Sequence, residues 1–441
     1  MPNTRNKWDG FLCLLGGFTC GLSTGCIFMI AHTRTYISSF FVAKHHDVSL
    51  ESTQQIVLVQ GISQGIAILL APLLIQYLNP KLLILFGGCL GIGGLIGATF
   101  VENFTAFMLL YALYFGFGVG TCFFVPFFCA WSHFPKNIGI SNSVVLCGFA
   151  CGIFILGIIP HVIMNPKGLK PNDGIFPSEV AIRLPKMLRI MAMIMAGLTI
   201  LTIILINMKR KTQRMFIRNR RRRRGRGGNY MSLGEIETNR TSNPNITRSD
   251  QQEENKEGNQ EQNIQQNLNN GNEILPIANN PGDENEINFS DAIKDYKTHI
   301  LIILMILSLV QPSLAIFSLR EIDDGDYFTV LSIISCLIFC IACTVVGLIV
   351  DKTKCRYLFI VTLAIQIILG FSMNSAAKSR SGYFVWFTVS SFFFGTILSM
   401  IPCLLIKVYG QKTASWLSAG VFSPMFLLTY AFLKIQEPNS P

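Results

Sequence analysis

Eleven continuous apolar segments of membrane-spanning length constrain the fold of this chain more than any other feature. About 20 apolar residues in helical conformation cross the hydrocarbon core of a bilayer. The strands of a membrane barrel would alternate polar and apolar residues, and these segments do not. The sequence therefore predicts an all-α polytopic membrane protein with 11 spans. The segments, numbered 1 to 11 in order, are residues 11–31, 54–77, 82–101, 104–130, 139–163, 187–208, 300–319, 328–350, 357–373, 384–406 and 414–433.

The scarcity of charge supports this interpretation. Of 441 residues, 50% are hydrophobic and 14% are charged, whereas a soluble domain carries about 25% charged residues. A short polar stretch precedes segment 1, which is of full span length, so we interpret that segment as a retained helix and not as a cleaved signal. We expect a multi-pass integral protein of the plasma membrane or of an endomembrane.

A polar interval, residues 208–297, separates six apolar segments from the other five. It is rich in Asn, Gln and Glu and has almost no aromatic residues. Such a composition cannot bury enough apolar surface to offset the entropy of ordering, so we predict a disordered linker. The chain then divides into a six-span half (1–207), the linker (208–297) and a half with five spans (298–441).

The linker begins with a basic cluster that includes five consecutive arginines, residues 220–224. Arginines followed by a Gly-Arg-Gly-Gly stretch invite a nucleic-acid interpretation. The cluster directly follows segment 6, however, and basic residues within about 20 residues of a span end mark the cytoplasmic side. We therefore predict a cytoplasmic linker with anionic lipid near residues 220–224 and no nucleic-acid partner. The N-terminus is then cytoplasmic as well, and 11 spans place the C-terminus outside.

The chain lacks the motifs of catalytic or metal sites. Its 13 cysteines lie almost all within apolar segments, and no His/Cys group has zinc spacing, so we interpret the cysteines as packing residues. Paired carboxylates, a nucleophile beside a base and a phosphate-binding Gly-rich loop are also missing. We predict no enzyme activity, no cofactor and no ATP-driven transport.

The two halves show signs of a parallel repeat. In segment 4 Gly120 precedes Pro126, and in segment 10 Gly395 precedes Pro402. Two six-span repeats joined by a long cytoplasmic linker are typical of one large class of secondary transporters. Further motifs lie in and around the first half: Gly25, Tyr36, Ser39 and Phe40; Tyr114; the loop Trp131-Ser132-His133-Phe134-Pro135-Lys136; and Asn165-Pro166.

With these motifs the chain resembles the major facilitator superfamily, and within it the oxalate/formate antiporter and monocarboxylate-transporter-like branch. Two features depart from that pattern. The second half has five segments, so a twelfth span is missing. Segments 8 and 11 hold no charged residue, whereas antiporters of the branch place basic residues in their C-terminal spans to meet a carboxylate.

The resemblance implies that segments 1, 4, 7 and 10 line a central cavity. Polar residues near the middle of these segments, and one in segment 2, are then candidates for binding a solute. They are Thr24, Gln64, Tyr114, Gln311 and Ser391. The alternative is that these side chains hold helices together, at about 1 kcal/mol or less per contact.

Two functions are open at this point. The first is a monomeric secondary active transporter of a small organic solute, an organic anion such as a monocarboxylate, working by alternating access. The second is a non-transporting or truncated membrane sensor of the same fold. The missing twelfth span and the small number of charges inside the segments favour the sensor.

The predicted orientation can be tested on two glycosylation sequons in the linker. Asn239 and Asn245 each begin an Asn-x-Thr sequence, which is an acceptor for N-glycans. A cytoplasmic linker never meets the glycosylation machinery, so we expect neither site to be modified when the chain is expressed in eukaryotic cells. Mass spectrometry before and after enzymatic deglycosylation measures this, and a glycan at either site would overturn the orientation.

Overall fold

A computed structural model describes residues 4–44, 50–169, 175–207, 289–318, 325–352, 355–376 and 378–424, together with residue 428. Within these ranges the chain forms helices and no β-strand. The predicted all-α fold is therefore confirmed. Residues 208–288 of the linker, with the arginines at 220–224, lie outside the described residues.

The first half consists of helices that correspond to segments 1 to 6. A 3₁₀ turn (Cys26–Met29) joins α1 to α2, and a π-helical segment (Leu109–Tyr114) joins α5 to α6. The helices are α1 Thr4–Gly25, α2 Ile30–Ala43, α3 Leu50–Tyr77, α4 Pro80–Ala98, α5 Phe104–Met108, α6 Phe115–Phe123, α7 Val125–His133, α8 Ile138–Met164, α9 Ser178–Ala181 and α10 Leu184–Leu205.

The second half contains six described helices. They are α11 Phe289–Lys294, α12 Tyr296–Ser318, α13 Gly325–Lys352, α14 Cys355–Ala376, α15 Arg380–Tyr409 and α16 Gln411–Phe422. In the described part of the chain, eight helical stretches are long and apolar enough to cross a bilayer, and two shorter apolar helices lie at Tyr296–Leu309 and Tyr357–Met373. The total of 11 spans stays a prediction.

Two boundaries differ from those expected from the sequence. We expected an outer loop directly after residue 31, but the helix continues to Ala43, because Tyr36, Ile37 and Phe41 lie at helical spacing and are buried. The last part of the predicted linker is helical as α11, where the ring of Phe289 lies 5.8 Å from that of Trp416.

Small residues set the packing of α1 against α8. A side-chain carbon on Gly148 would overlap the carbonyl oxygen of Phe18, and one on Gly25 would lie 2.7 Å from the Cα atom of Gly152. Helices in lipid gain little from the hydrophobic effect when they associate, so close backbone approach through small residues supplies the packing energy. The two helices therefore form a tightly joined pair within the first half.

The opposite side of α8 contacts the second half of the chain. There α8 packs on α13, while α3 packs on α16. A side-chain carbon on Gly347 would lie 2.6 Å from the carbonyl oxygen of Gly139. Beside this contact the carboxylate of Asp351 accepts hydrogen bonds from the backbone N–H groups of Gly139 (2.8 Å) and Ile140 (3.2 Å). A helix of one half thus receives its N-terminal cap from the other half.

Packing of α1 on α8 generates a stability prediction. Gly148→Ala should destabilise the protein by about 1–3 kcal/mol, because the added carbon meets backbone that cannot move aside. Gly93→Ala is the matched control, since nothing lies within 4 Å of the added carbon at that helical position. Thermal unfolding of the purified proteins in detergent measures both. An equal Tm for the two variants would contradict close packing at Gly148.

Candidate functional site: a layer at mid-depth between the two halves

Two of the predicted site residues lie at one depth in the first half. The side-chain N–H of Gln60 donates to the carbonyl of Ile27 at 2.7 Å, within the 3₁₀ turn that follows α1. Thr24 lies about one helical turn before Ile27, and Gln64 lies about one turn after Gln60. Because α1 and α3 run antiparallel, both steps go in the same direction across the membrane. These two residues are therefore level with each other.

Neighbouring helices contact α3 at the depth of Gln64. A side-chain carbon on Gly120 of α6 would lie 2.6 Å from the carbonyl oxygen of Gln64. One on Gly65 would lie 2.6 Å from the carbonyl oxygen of Ser423, which directly follows α16. Gln64 is thus bordered by a helix of its own half on one side and by the second half on the other.

Ser391 in the second half lies at a matching depth. Gly25 is level with Gly152 of α8, and the neighbouring Cys151 lies with its sulfur 3.9 Å from that of Cys336 in α13. Gly395 lies one turn after Ser391 in α15, and it packs on the backbone of α13 one turn after Cys336. Ser391 and Cys336 are therefore level with each other. We call Thr24, Gln64 and Ser391 the mid-depth layer.

Gln64 is the residue in this layer whose hydrogen bonding is incomplete. Its side chain is 2% exposed, and its Oε1 atom has no hydrogen-bond partner among the described residues. Leaving such an acceptor unpaired costs about 1–3 kcal/mol. By contrast, the hydroxyls of Thr24 and Ser391 donate to the carbonyls of Gly21 (3.0 Å) and Phe387 (2.9 Å) in their own helices.

Aromatic rings from both halves fill the interface next to Gln64. The ring of Phe123 lies 5.4 Å from that of Phe149 and 5.8 Å from that of Phe422. Phe124 also contacts Phe422, at 5.7 Å. Edge-to-face contacts of this kind add about 0.5–1.5 kcal/mol beyond burial of area. The halves are therefore closed together at this depth.

Thr24 faces a separate small cavity inside the first half. The cavity lies between α1, α4, α6 and α10, and Thr24 lines it together with Ser23 and Thr199. Its volume of about 20 Å³ suffices for one water molecule. Gln64 is not among its lining residues, so the structure brings Thr24 and Gln64 to one level without joining them in one pocket.

We expected Tyr114 to face the centre of the protein, but it does not. It is 45% exposed, and its Cβ atom lies against Gly94 of α4, whereas Tyr111 is fully buried with its hydroxyl 3.3 Å from that of Thr33. Both tyrosines belong to the π-helical segment, in which one turn holds more residues than in an α-helix. Residues three apart then no longer share a face, and sequence reasoning based on α-helical spacing misses this change. Gln311 lies in α12, and its side chain is outside the described part of the structure.

Ionisable side chains within the predicted segments lie away from the layer, near the helix ends. The Nδ1 atom of His161 lies 2.8 Å from the hydroxyl of Tyr36, and the guanidinium of Arg189 lies 5.5 Å from the ring centre of Phe100. The ammonium of Lys407 donates to the carbonyl of Val350. The described helices contribute no lysine, arginine, aspartate or glutamate to the mid-depth layer. Its chemistry is that of neutral hydrogen-bonding groups beside aromatic rings.

Comparison with known proteins places the chain among membrane carriers. The model of the Major Facilitator Superfamily matches residues 13–426. Apicoplast pyruvate carrier 1 of Toxoplasma gondii is 18% identical over 240 residues, which are 43% of this chain and 44% of the relative. The match thus spans less than half of that carrier.

Two solved structures share the fold at low sequence identity. The proton:xylose symporter XylE bound to 6-bromo-6-deoxy-D-glucose is 13% identical, with a TM-score of 0.60 over 99% of this chain and 90% of that chain. The xylose transporter XylE from E. coli, in a partially occluded inward-open conformation, is 14% identical, with a TM-score of 0.55 over 99% and 98% of the two chains.

Tyr111 is buried and Tyr114 is exposed, so the same substitution at the two positions should have different effects. Tyr111→Phe removes a buried hydroxyl contact and should destabilise the protein by about 0.5–1.5 kcal/mol. Tyr114→Phe, the same change three residues later, should alter neither the Tm nor the affinity for any bound solute. Thermal unfolding and solute binding on both variants measure this. A loss of solute affinity in Tyr114→Phe would return Tyr114 to the site.

Proposed function

The chain belongs to the major facilitator superfamily, and on that premise we propose that this secondary transporter moves a small monocarboxylate by alternating access around the mid-depth layer. Its family and fold are those of a multi-pass membrane transporter and not of an enzyme. The relative that matches 43% of the chain is named as a pyruvate carrier, and pyruvate is a monocarboxylate. That similarity supports the choice of solute.

The observation that carries the proposal is the buried Oε1 atom of Gln64, which has no partner among the described residues. A buried primary amide offers two N–H donors and a carbonyl acceptor, and a carboxylic acid offers the complementary groups. Since Oε1 has no partner among the described residues, a bound acid that donates its O–H there would satisfy it. The amide N–H groups would then donate to the remaining oxygens of the solute.

The described groups of the mid-depth layer carry no fixed charge. This affects whether the solute crosses the membrane as an ionised carboxylate or as a protonated acid. An ionised carboxylate in a low-dielectric interior costs several kcal/mol unless a cation or a set of donors compensates it. A protonated acid avoids that cost and supplies the donor that Oε1 of Gln64 does not receive from any described residue. We therefore expect the monocarboxylate to cross together with a proton.

The contacts between the halves suit a reversible opening. Asp351 caps α8 with two hydrogen bonds across the interface, and a carboxylate at a helix N-terminus contributes about 0.3–1 kcal/mol. Phe422 packs edge-to-face on Phe123 and in a tilted arrangement on Phe124. Each of these interactions is weak enough to break during a transport cycle.

A sensor of the same fold is the second candidate. The neutral layer and the one-water cavity in the first half favour it, because neither provides a charged or spacious site for a solute. A sensor would bind its ligand without moving it, so transport and binding measured on one preparation distinguish the two functions.

Reconstitution into liposomes tests the proposal. Labelled pyruvate should accumulate faster when the outside is more acidic, and unlabelled lactate should compete with it. Labelled xylose serves as the comparison solute, since the structurally similar symporter is named for it. Uptake of xylose without uptake of pyruvate would replace the proposed substrate, and saturable binding without any uptake would favour the sensor.

Replacement of Gln64 gives the sharpest test of the site. Gln64→Ala removes a neutral hydrogen bond worth about 0.5–1.5 kcal/mol, so pyruvate affinity should fall by up to roughly tenfold while the Tm stays close to that of the natural protein. Gln366→Ala is the matched control, because Gln366 is also buried and unpaired among the described residues but lies in α14, which packs on α12 and α15.

The control should leave affinity unchanged. Unchanged affinity in both variants would remove Gln64 from the site, and a lower Tm with normal affinity in Gln64→Ala would assign it to helix packing. Equal losses of affinity in the two variants would indicate a general effect of removing a buried amide.

A further inference from the structure

Four cysteines meet where α8 of the first half packs on α13 of the second. Cys147 and Cys151 are four residues apart in α8, and Cys336 and Cys340 are four residues apart in α13. Residues at that spacing lie on one face of a helix. Each half of the protein thus contributes two thiols to a single cluster.

The sulfur atoms lie close enough to share one ion. Those of Cys151, Cys336 and Cys340 are all within 4.8 Å of one another, and the first two are 3.9 Å apart. Cys147 is the fourth member: its sulfur lies 3.7 Å from the backbone carbonyl of Cys340, and the sulfur of Cys340 lies 3.8 Å from the backbone carbonyl of Cys147. Two metal–sulfur bonds of about 2.3 Å hold their sulfurs about 3.8 Å apart at the tetrahedral angle and about 4.6 Å apart on opposite sides of the ion. The cluster therefore already has the spacing of thiolate ligands.

Packing alone does not explain why these positions are cysteine. At the other end of the same interface Gly139 meets Gly347, and the hydroxyl of Ser143 donates to the carbonyl of Cys343 at 2.5 Å. Glycine and serine thus suffice for close approach of α8 and α13. Four thiols directed at one another add a capacity that the smaller residues lack, which is to bind a soft metal.

The surroundings of the cluster favour an ion of low charge. Three of its members are partly buried and Cys336 is almost fully buried, and the described turns of α8 and α13 around them contain no charged residue. Thiolate ligands select soft ions such as Cu(I) and Zn(II). Four thiolates around Zn(II) would leave two net negative charges in an apolar interface, whereas two thiolates around Cu(I) leave one.

We propose that Cys147, Cys151, Cys336 and Cys340 form a binding site for a soft monovalent metal ion of the Cu(I) class, which ties the two halves together. Binding forms two metal–sulfur bonds, to Cys151 of the first half and Cys336 of the second, and releases their two thiol protons to solvent, with Cys147 and Cys340 as neutral neighbours. No electron is transferred. The site is independent of the solute proposed above.

A titration of the natural chain tests the site. Full-length protein purified under reducing, anaerobic conditions is titrated with Cu(I) in competition with a coloured Cu(I) chelator, and thiolate-to-copper absorption is recorded in the ultraviolet. We expect one equivalent of Cu(I) per chain and a higher Tm of the loaded protein, since an ion that binds only the folded state stabilises it. Failure of the natural chain to take copper from the chelator would overturn the proposal.

Two double variants locate the copper. Cys147→Ser with Cys151→Ser removes the ligands of one half, and Cys336→Ser with Cys340→Ser removes those of the other. Both should lose the ultraviolet band and the increase in Tm. The matched control is Cys13→Ser with Cys129→Ser, which removes two other buried thiols inside the first half and should bind copper as the natural chain does.

Each alternative gives a distinct result. Loss of copper only in the control would move the site to Cys13 and Cys129, and retention in all three variants would mean that binding is nonspecific. If the double variants fail to fold, the single change Cys340→Ser, at the thiol within 4.8 Å of those of Cys151 and Cys336, should still weaken binding at least about tenfold. A Cys151–Cys336 disulfide in the natural protein before reduction would replace the metal site with a redox bond between the halves.

Discussion

Close backbone approach on both sides of one helix, α8, is the constraint on which the rest of the structure depends. Its glycines at 148 and 152 admit α1 on one side, and its first turn meets α13 on the other. In a bilayer the lipid chains are as apolar as the side chains, so helix association relies on close packing and interhelical hydrogen bonds. A single helix thus joins α1 within its own half and the second half across the interface.

Two breaks in regular helix determine which polar residues remain available for a solute. The 3₁₀ turn after α1 presents the carbonyl of Ile27 to Gln60, and the π-helical segment presents that of Ala112 to the hydroxyl of Ser63, at 3.1 Å. Backbone groups at membrane depth must find partners inside the protein. Gln60 and Ser63 donate to these carbonyls, whereas no such bond to a helix break is seen for Gln64, one turn on. The Oε1 atoms of Gln60 and Gln64 are both without a partner among the described residues. What separates the two glutamines is therefore the amide N–H group, which Gln60 uses to satisfy the backbone.

Sequence reasoning predicts the helices of this chain because length and hydropathy alone decide whether a segment crosses a bilayer. It also selects polar residues near mid-span; Thr24, Gln64 and Ser391 lie at one depth, and their binding of a solute stays a prediction. It fails at Tyr114 because a π-helical segment changes the helix phase without a signature in hydropathy. It likewise interprets Cys151 and Cys336 as separate packing residues, since their contact joins positions 185 residues apart and becomes visible only when α8 meets α13.

Close backbone approach is distributed differently on the two sides of α8. Between α1 and α8 the backbones touch over two successive turns, at Gly148 and Gly152, so separating them would open voids along both helices. Between α8 and α13 the backbones touch at Gly139 and Gly347, and beyond them the side chains of Ser143 and Cys147 reach backbone carbonyls of α13. A rotation about that first turn would leave each half intact while it separates the thiols and the rings next to Gln64. The arrangement therefore favours motion of two rigid halves over rearrangement within either one.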